Sequence, residues 1–196
     1  MSQENFAAEG DSRPIRSAER RTWADHIAVR FPRVYRRLTA VSWRVLTRLP
    51  RGHRIRRAVF ERVIGRSYGA FNRNDMDALP PLYHPECVWD WSHFEGWPDA
   101  PLTHGPEALR RNWLVFREAW GDFRVDASDL RDFGDRQLVT CHMRATGSGS
   151  GVGITTIWWQ AGYSRDGLIA RVENYTDQER ALEAVGLSEQ DAHAGS

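Results

Sequence analysis

The sequence predicts an α+β fold with a mostly antiparallel sheet. Two observations carry that expectation: helical periodicity is concentrated in the first 120 residues, and strands joined by short glycine-bearing turns follow one another after it. A third is the ending, in which the last strand gives way to a short capped helix.

Taken in order, residues 1–15 are polar and lack periodicity, which predicts disorder. Two arginine-laced segments follow. In the second, Val34, Leu38, Val41, Val45 and Leu49 recur at helical spacing, with Arg33, Arg36, Arg37, Arg44 and Arg48 around the remaining surface. This is a basic amphipathic helix. Its apolar stripe fits packing on the domain or on a sister subunit; the sharper alternative is adhesion to an anionic membrane surface or nucleic acid. Pro50 and Gly52 break it. From His53 a long helix carries Phe60, Ile64, Tyr68 and Phe71 on one stripe, and Asp75 is placed to cap a short helix containing Met76, Leu79 and Leu82. Residues 87–92 read as a strand with Cys87, Trp89 and Trp91 on one face and Val88, Asp90 and Ser92 on the other. A helix opens near Pro106 and aligns Leu109, Trp113, Phe116 and Trp120.

After a strand through Phe123, Val125 and Ala127, three more occupy 137–146, 152–162 and 168–176, rich in Val, Ile, Thr and aromatics. Gly147–Gly151 joins the first pair, and Asp166-Gly167 supplies the positive φ of a tight hairpin between the second. Thr176 and Glu179 stand at capping-box spacing before Ala181, Leu182 and Val185, and Gly186 stops that helix.

The 196 residues suffice for one domain plus an extension, and 41% hydrophobic content with nine Trp is globular in character. No apolar run approaches the ~20 residues of a membrane-spanning helix. The first residues carry acids and no apolar stretch, unlike a secretory signal, and the two cysteines, Cys87 and Cys141, fit a reduced cytoplasm. The net charge of +1 conceals a division. Residues 1–66 hold 16 Arg against 6 acids, whereas residues 67–196 hold 11 Arg against 20 acids. A basic arm therefore precedes an acidic body.

The long helix ending in Ala70-Phe71-Asn72-Arg73-Asn74-Asp75, then Tyr83-His84-Pro85-Glu86, then Gly105-Pro106-Glu107-Ala108-Leu109 resembles the nuclear transport factor 2-like superfamily. Ser150-Gly151-Val152, Asp166-Gly167-Leu168-Ile169 and Tyr175–Leu182 are similar to its SnoaL-like polyketide cyclase branch. The resemblance covers about residues 55–187 and implies a cone-shaped α+β barrel, a curved sheet wrapped around N-terminal helices, often a homodimer through the outer sheet face. It divides the chain into a disordered start and helical extension (1–52), a SnoaL-like domain (53–187) and a disordered tail (188–196). Members include isomerases, cyclases, epoxide hydrolases and dehydratases beside domains that only bind, so the fold does not settle the function.

Val88-Trp89-Asp90 resembles the strand of ketosteroid isomerase that carries the general-base aspartate, which makes Asp90 the candidate base. Desolvation between Val88 and aromatic neighbours is expected to raise its pKa. In the same comparison the oxyanion tyrosine falls near Ser67, beside Tyr68, and the second acid falls near Thr156. Limonene epoxide hydrolase aligns its Arg-x-Asp pair with His142-x-Arg144 and its other aspartate with Asn174; both carboxylates are missing, so its mechanism is not carried over. That comparison implies that Thr140, His142, Arg144 and Asn174 point inward. The candidate catalytic set is thus Asp90, His142 and Arg144, against a structural reading as a self-satisfied polar network. Tyr68, Val88, Trp113, Phe116, Thr140, Thr156, Trp158 and Asn174 are the candidate pocket residues. Trp89 and Trp91, opposite Asp90, are expected on the outside, at a dimer interface.

Gly147–Gly153 lacks the third glycine of a dinucleotide fingerprint and leads into a strand. His84, His93 and His104 lack metal-ligand spacing, so no metal and no cofactor is expected. Two readings stay open. One is a cytoplasmic homodimer binding a small, largely apolar molecule, with proton transfer, cyclisation or dehydration by Asp90; the other is a non-enzymatic binding or interaction domain whose basic arm meets a membrane surface or nucleic acid.

Overall fold

The computed structural model describes residues 13–95 and 102–186. The elements are β1 (Pro14–Ile15), α1 (Trp23–Arg30), α2 (Pro32–Leu46), α3 (Arg54–Asn72), a 3-10 turn (Pro80–Leu82), β2 (Tyr83–His93), β3 (Leu102–His104), α4 (Pro106–Ala119), β4 (Trp120–Asp132), β5 (Arg136–Gly147), β6 (Gly153–Arg165), β7 (Leu168–Tyr175) and α5 (Gln178–Ala184). The strands make one seven-stranded sheet in the order β1-β4-β5-β6-β7-β2-β3. Every neighbouring pair is antiparallel except β2 and β7, which run parallel with Trp89 opposite Val172. The expected α+β class with a mostly antiparallel sheet is what forms.

Period-two alternation sorts the strands into two faces. Val125 and Ala127, Val139, Cys141 and Met143, Trp158, Val172, Cys87 and Trp89 fall on the inner face and pack in one core with Phe60, Tyr68 and Phe71 of α3. On the outer face Leu138, Ala161 and Tyr175 form a smaller core under Ala181, Leu182 and Val185 of α5. The β6–β7 hairpin is as the Asp-Gly pair requires, with φ of 55° at Asp166 and 78° at Gly167.

Several expectations are corrected. Residues 14 and 15 are strand, paired with Ser128 and Ala127 of β4; residues 1–12 and the tail from 187 lie outside the described residues. Asp75 caps no α-helix, because Pro80 and Pro81 leave only a 3-10 turn, and its carboxylate instead receives Arg21 at 2.6 and 2.7 Å. The N-cap of α5 is Asp177, which accepts from the Arg180 amide at 3.1 Å, not Thr176. The stripe of α2 does not pack on the domain: Val34, Leu38, Val41 and Val45 are 55%, 59%, 57% and 56% exposed. The opposite face of α2 packs instead, with Trp43 stacked on Phe60 at 4.5 Å between ring centroids.

The residues before α2 are knitted to α3. Asp25 caps α1 in a capping box with Thr22, and its Oδ1 receives Arg66 Nε at 3.0 Å and NH2 at 2.8 Å. Ala18 donates its amide to the Gly65 carbonyl at 3.0 Å, and Arg73 donates to the Ala18 carbonyl. The approach is close enough to demand glycine on α3. A Cβ at Gly65 would lie 2.3 Å from the Arg16 carbonyl oxygen, and one at Gly69 would lie 2.3 Å from that of Ala18.

Backbone atoms cannot yield as a flexible side chain can, so Gly69→Ala is expected to lower the unfolding free energy by about 1–3 kcal/mol. Gly52→Ala, where nothing lies within 4 Å, should stay within about 0.5 kcal/mol of the parent in the same urea titration.

Candidate functional site

Against the inner face of the sheet lie two adjoining cavities of about 60 and 70 Å³, the first between α3 and α4 and the second between α3 and α2. Each has room for a few waters. Tyr68, Phe71, Trp89 and Gln160 line both. The first is walled by aromatic rings supplied mainly by two helices, α3 and α4, and three strands, β2, β4 and β6: Trp113 lies 4.6 Å from Phe71, 5.4 Å from Phe116 and 5.0 Å from Phe123, measured between ring centroids. Leu109, Trp113 and Phe116 reach it together because their i, i+4, i+7 spacing puts them on one face of α4, which opens at Pro106. The second cavity is bounded by Trp43 of α2, Phe60 and Ile64 of α3, and Val139 of β5.

The polar groups of the walls are mostly committed to each other. Gln160 Oε1 accepts from the Tyr68 hydroxyl at 2.8 Å, and that hydroxyl also sits 2.8 Å from the Cys141 sulfur. Asn174 Oδ1 accepts from Gln160 Nε2 at 2.9 Å and from Trp158 Nε1 at 3.1 Å, while its Nδ2 donates to the Asp90 carbonyl at 3.2 Å. Asn112 donates to the Thr103 hydroxyl at 2.8 Å. Burial raises the Tyr68 hydroxyl well above its usual range and pushes the Cys141 thiol up to about 12. Three indole nitrogens break the pattern. Trp89 and Trp113, which line the first cavity, and Trp43, which lines the second, have indole nitrogens that are buried without a partner. Among the described residues, no carboxylate, imidazole or guanidinium lines either cavity.

The expected catalytic set is not in this space. Trp89 and Trp91 face the cavity, so Asp90 takes the outer face, the reverse of the orientation read from the sequence. There its Oδ1 accepts from the Ser92 amide at 2.9 Å and hydroxyl at 2.6 Å, and its Oδ2 receives Arg171 NH2 at 2.6 Å. Burial alone would raise its pKa, but the Ser92 bonds and the Arg171 charge outweigh it and hold the carboxyl below the usual range. That makes it a weaker base than expected. His142 Nε2 lies 3.0 Å from the Ser128 hydroxyl, and Arg144 is exposed and reaches Asp126 at 3.2 Å. Both alternate with Cys141 and Met143, so they and Thr140 point outward, as does Val88.

Of the candidate pocket residues, Tyr68, Trp113, Phe116 and Trp158 line the first cavity. Asn174 is inward and fully buried, but it holds Trp158 and Gln160 without bordering either space. Thr156 shares the inward phase of Trp158 and lines neither cavity. Gln160, Asn112 and Thr103 were missed. Gln160 left one legible signal, an amide within the otherwise apolar run Ile157-Trp158-Trp159-Gln160-Ala161. His84, His93 and His104 form no metal-binding cluster; none of three or more His, Cys, Asp or Glu exists among the described residues.

A family model described as a SnoaL-like domain matches residues 64–172, more than half of the chain. The chain belongs to the SnoaL-like domain family. Solved structures of this nuclear transport factor 2-like fold are similar throughout the domain. TsrD from Streptomyces laurentii superposes with a TM-score of 0.52 at 20% identity, over 66% of this chain and 96% of that one. TerC, crystallised with polyporic acid, gives 0.52 at 20% identity over 64% and 97%. An NTF2-like protein from Burkholderia pseudomallei gives 0.51 at 16% identity over 64% and 96%. At these identities the likeness is one of fold. No curated protein matches the sequence. No helix among the described residues is long and apolar enough to cross a membrane.

On the outer face Glu173 accepts from Tyr163 and Tyr175 at 2.7 Å each and from Arg171 at 2.5 Å, beside Asp90. Burial raises the Glu173 pKa, but the two hydroxyls and Arg171 outweigh it and the net shift is downward. A folded pKa below the unfolded value of about 4.3 contributes stability above that pH and loses it as pH falls through the folded value. Urea unfolding from pH 7 to pH 3 is therefore expected to show stability falling below about pH 4.5, and Glu173→Gln should flatten that acid limb.

The two thiols give a separate readout. Burial pushes Cys87 up to about 11 and Cys141 up to about 12, and both are almost wholly enclosed. A thiol reagent at pH 8 should modify neither in the native chain and both in urea.

Proposed function

We propose that the protein is a small-molecule binding member of the SnoaL-like family, and that its ligand is a flat, largely apolar molecule bearing a hydrogen-bond acceptor. The observation that carries this reading is the pairing of an aromatic-walled cavity with the unpartnered indole N–H groups of Trp89 and Trp113. A buried donor without a partner costs about 1–3 kcal/mol. A carbonyl, ether or quinone-type oxygen arriving between the rings removes that cost, while the rings favour a planar body. A guest with a positive charge finds no counter-ion among the described wall residues.

The same walls argue against general acid–base catalysis by a carboxylate or histidine inside the cavity. Asp90 is on the far side of the sheet, paired with Arg171. Its role in this reading is structural: it holds β2 to β7 across their parallel pairing.

The test is a difference between two probes. Tryptophan fluorescence is titrated with anisole and with toluene, single rings matched in size to the adjoining cavities, for the parent, Trp89→Phe and Asp90→Asn. Trp89→Phe keeps a ring in the wall and removes one donor, so affinity for anisole, whose ether oxygen accepts, is expected to fall by up to about tenfold with toluene little changed. Asp90→Asn should leave both affinities at parental values. Equal losses for both probes in Trp89→Phe, or no saturable binding by the parent, would sink the reading.

A further inference from the structure

The outward face of α2 is unaccounted for by a cavity-binding domain. Between His26 and Phe60 the chain carries ten Arg and no Asp or Glu. Across that segment α2 presents three faces. Its inner face is fixed to the body through Trp43 on Phe60, and the Arg56 guanidinium holds the Thr47 and Leu49 carbonyls just beyond its end at 3.0 and 2.9 Å. A second face is the exposed stripe of Val34, Leu38, Val41 and Val45, extended at the helix start by Phe31, itself 54% exposed. Beside that stripe runs a third face of Arg33, Arg37 and Arg44, an arc of about 40° at 100° per residue, with exposed Arg48 in the turn just past the helix end. Arg33, Arg37 and Arg48 make no ion pair among the described residues, and Arg44 reaches Asp166 only at 3.7 Å with both side chains largely in solvent.

One kind of partner satisfies both outward faces. A second copy joined through the stripe would bring arginine flanks toward each other in an isologous contact, where like charges repel. A nucleic acid would take the guanidinium groups and leave four aliphatic side chains in water. At the boundary of an anionic bilayer the stripe enters the acyl edge while the arginines meet lipid phosphates. We propose that the outward face of α2 docks the protein onto an anionic lipid surface. The helix is already folded and anchored by its inner face, so docking does not have to order it, unlike a free amphipathic peptide. The cavity reading neither requires nor supplies this surface, so the two stand or fall separately.

Co-sedimentation of the full chain tests it, with vesicles of equal parts phosphatidylcholine and phosphatidylglycerol against pure phosphatidylcholine. The mixed vesicles are expected to retain the protein, the neutral ones to leave it in solution, and added salt to release it. Leu38→Ser with Val41→Ser should lower partitioning by about tenfold or more. Arg37→Ser with Arg48→Ser should lower it by about twenty-five-fold, each arginine contributing about fivefold, and should weaken the salt dependence. Val115→Ser, an exposed apolar side chain on α4, should bind as the parent does. Because the changed residues are exposed, thermal unfolding of each variant should match the parent. Failure to bind the acidic vesicles, equal binding by the stripe variant, or collapse of a parental dimer to monomer on the Leu38 and Val41 changes overturns the proposal. The last outcome would assign the face to a second copy.

Discussion

The N-terminal half of this structure depends on one guanidinium. Arg56 is 1% exposed, and all five of its donors are used: two on the Asp132 carboxylate and one each on the carbonyls of Thr47, Leu49 and Gly134. A buried ion costs several kcal/mol unless it is paired and its remaining hydrogen bonds are met. Here both conditions hold, and meeting them fixes three pieces of chain at one point: the break after α2, the first turns of α3 and the β4–β5 turn. The position of α2 follows, and with it the placement of Trp43 against Phe60 as a wall of the second cavity. The Asp25–Arg66 pair repeats the device ten residues further along α3, where it secures α1.

Polar chemistry is divided by the sheet. Inside, the side chains are aromatic, aliphatic or neutral amides and hydroxyls, joined through Gln160 and Asn174. Outside, Asp90, Arg171 and Glu173 form a charged network closed by two tyrosines. Low dielectric inside makes an unpaired donor costly, whereas the outer network keeps partial access to water, with the Arg171 side chain 42% exposed. The inner face is thus suited to selecting a neutral shape, and the outer face to holding β2 against β7.

Much of the architecture was legible because it rests on local signals. The Asp166-Gly167 turn, the four C-terminal strands, α4 behind Pro106 and the long α3 stripe all formed where periodicity and turn chemistry place them. What alternation could not decide was which face of β2 looks inward. It separates Trp89 from Asp90 correctly but is symmetric between the two solutions, and the resemblance to a catalytic strand favours the carboxylate. Burial chemistry favours the indoles, and the same preference puts Cys141 and Met143 inside at the expense of His142 and Arg144. The α2 stripe misled for a related reason. A helix with apolar residues on two faces has no single inner side, and Trp43 and Tyr35 outweigh four smaller aliphatic side chains in buried area.

The two cavities share a partition made of side chains, with Tyr68, Phe71 and Trp89 between them. Tyr68 is tied by its hydroxyl to Gln160 and Cys141, but the Trp89 indole nitrogen is bonded to nothing. Trp89 is held instead by ring packing, with centroids 6.0 Å from Phe71, 5.9 Å from Tyr83 and 6.1 Å from Trp91. A guest larger than one chamber must therefore part packed rings at Trp89, where no hydrogen bond has to be broken.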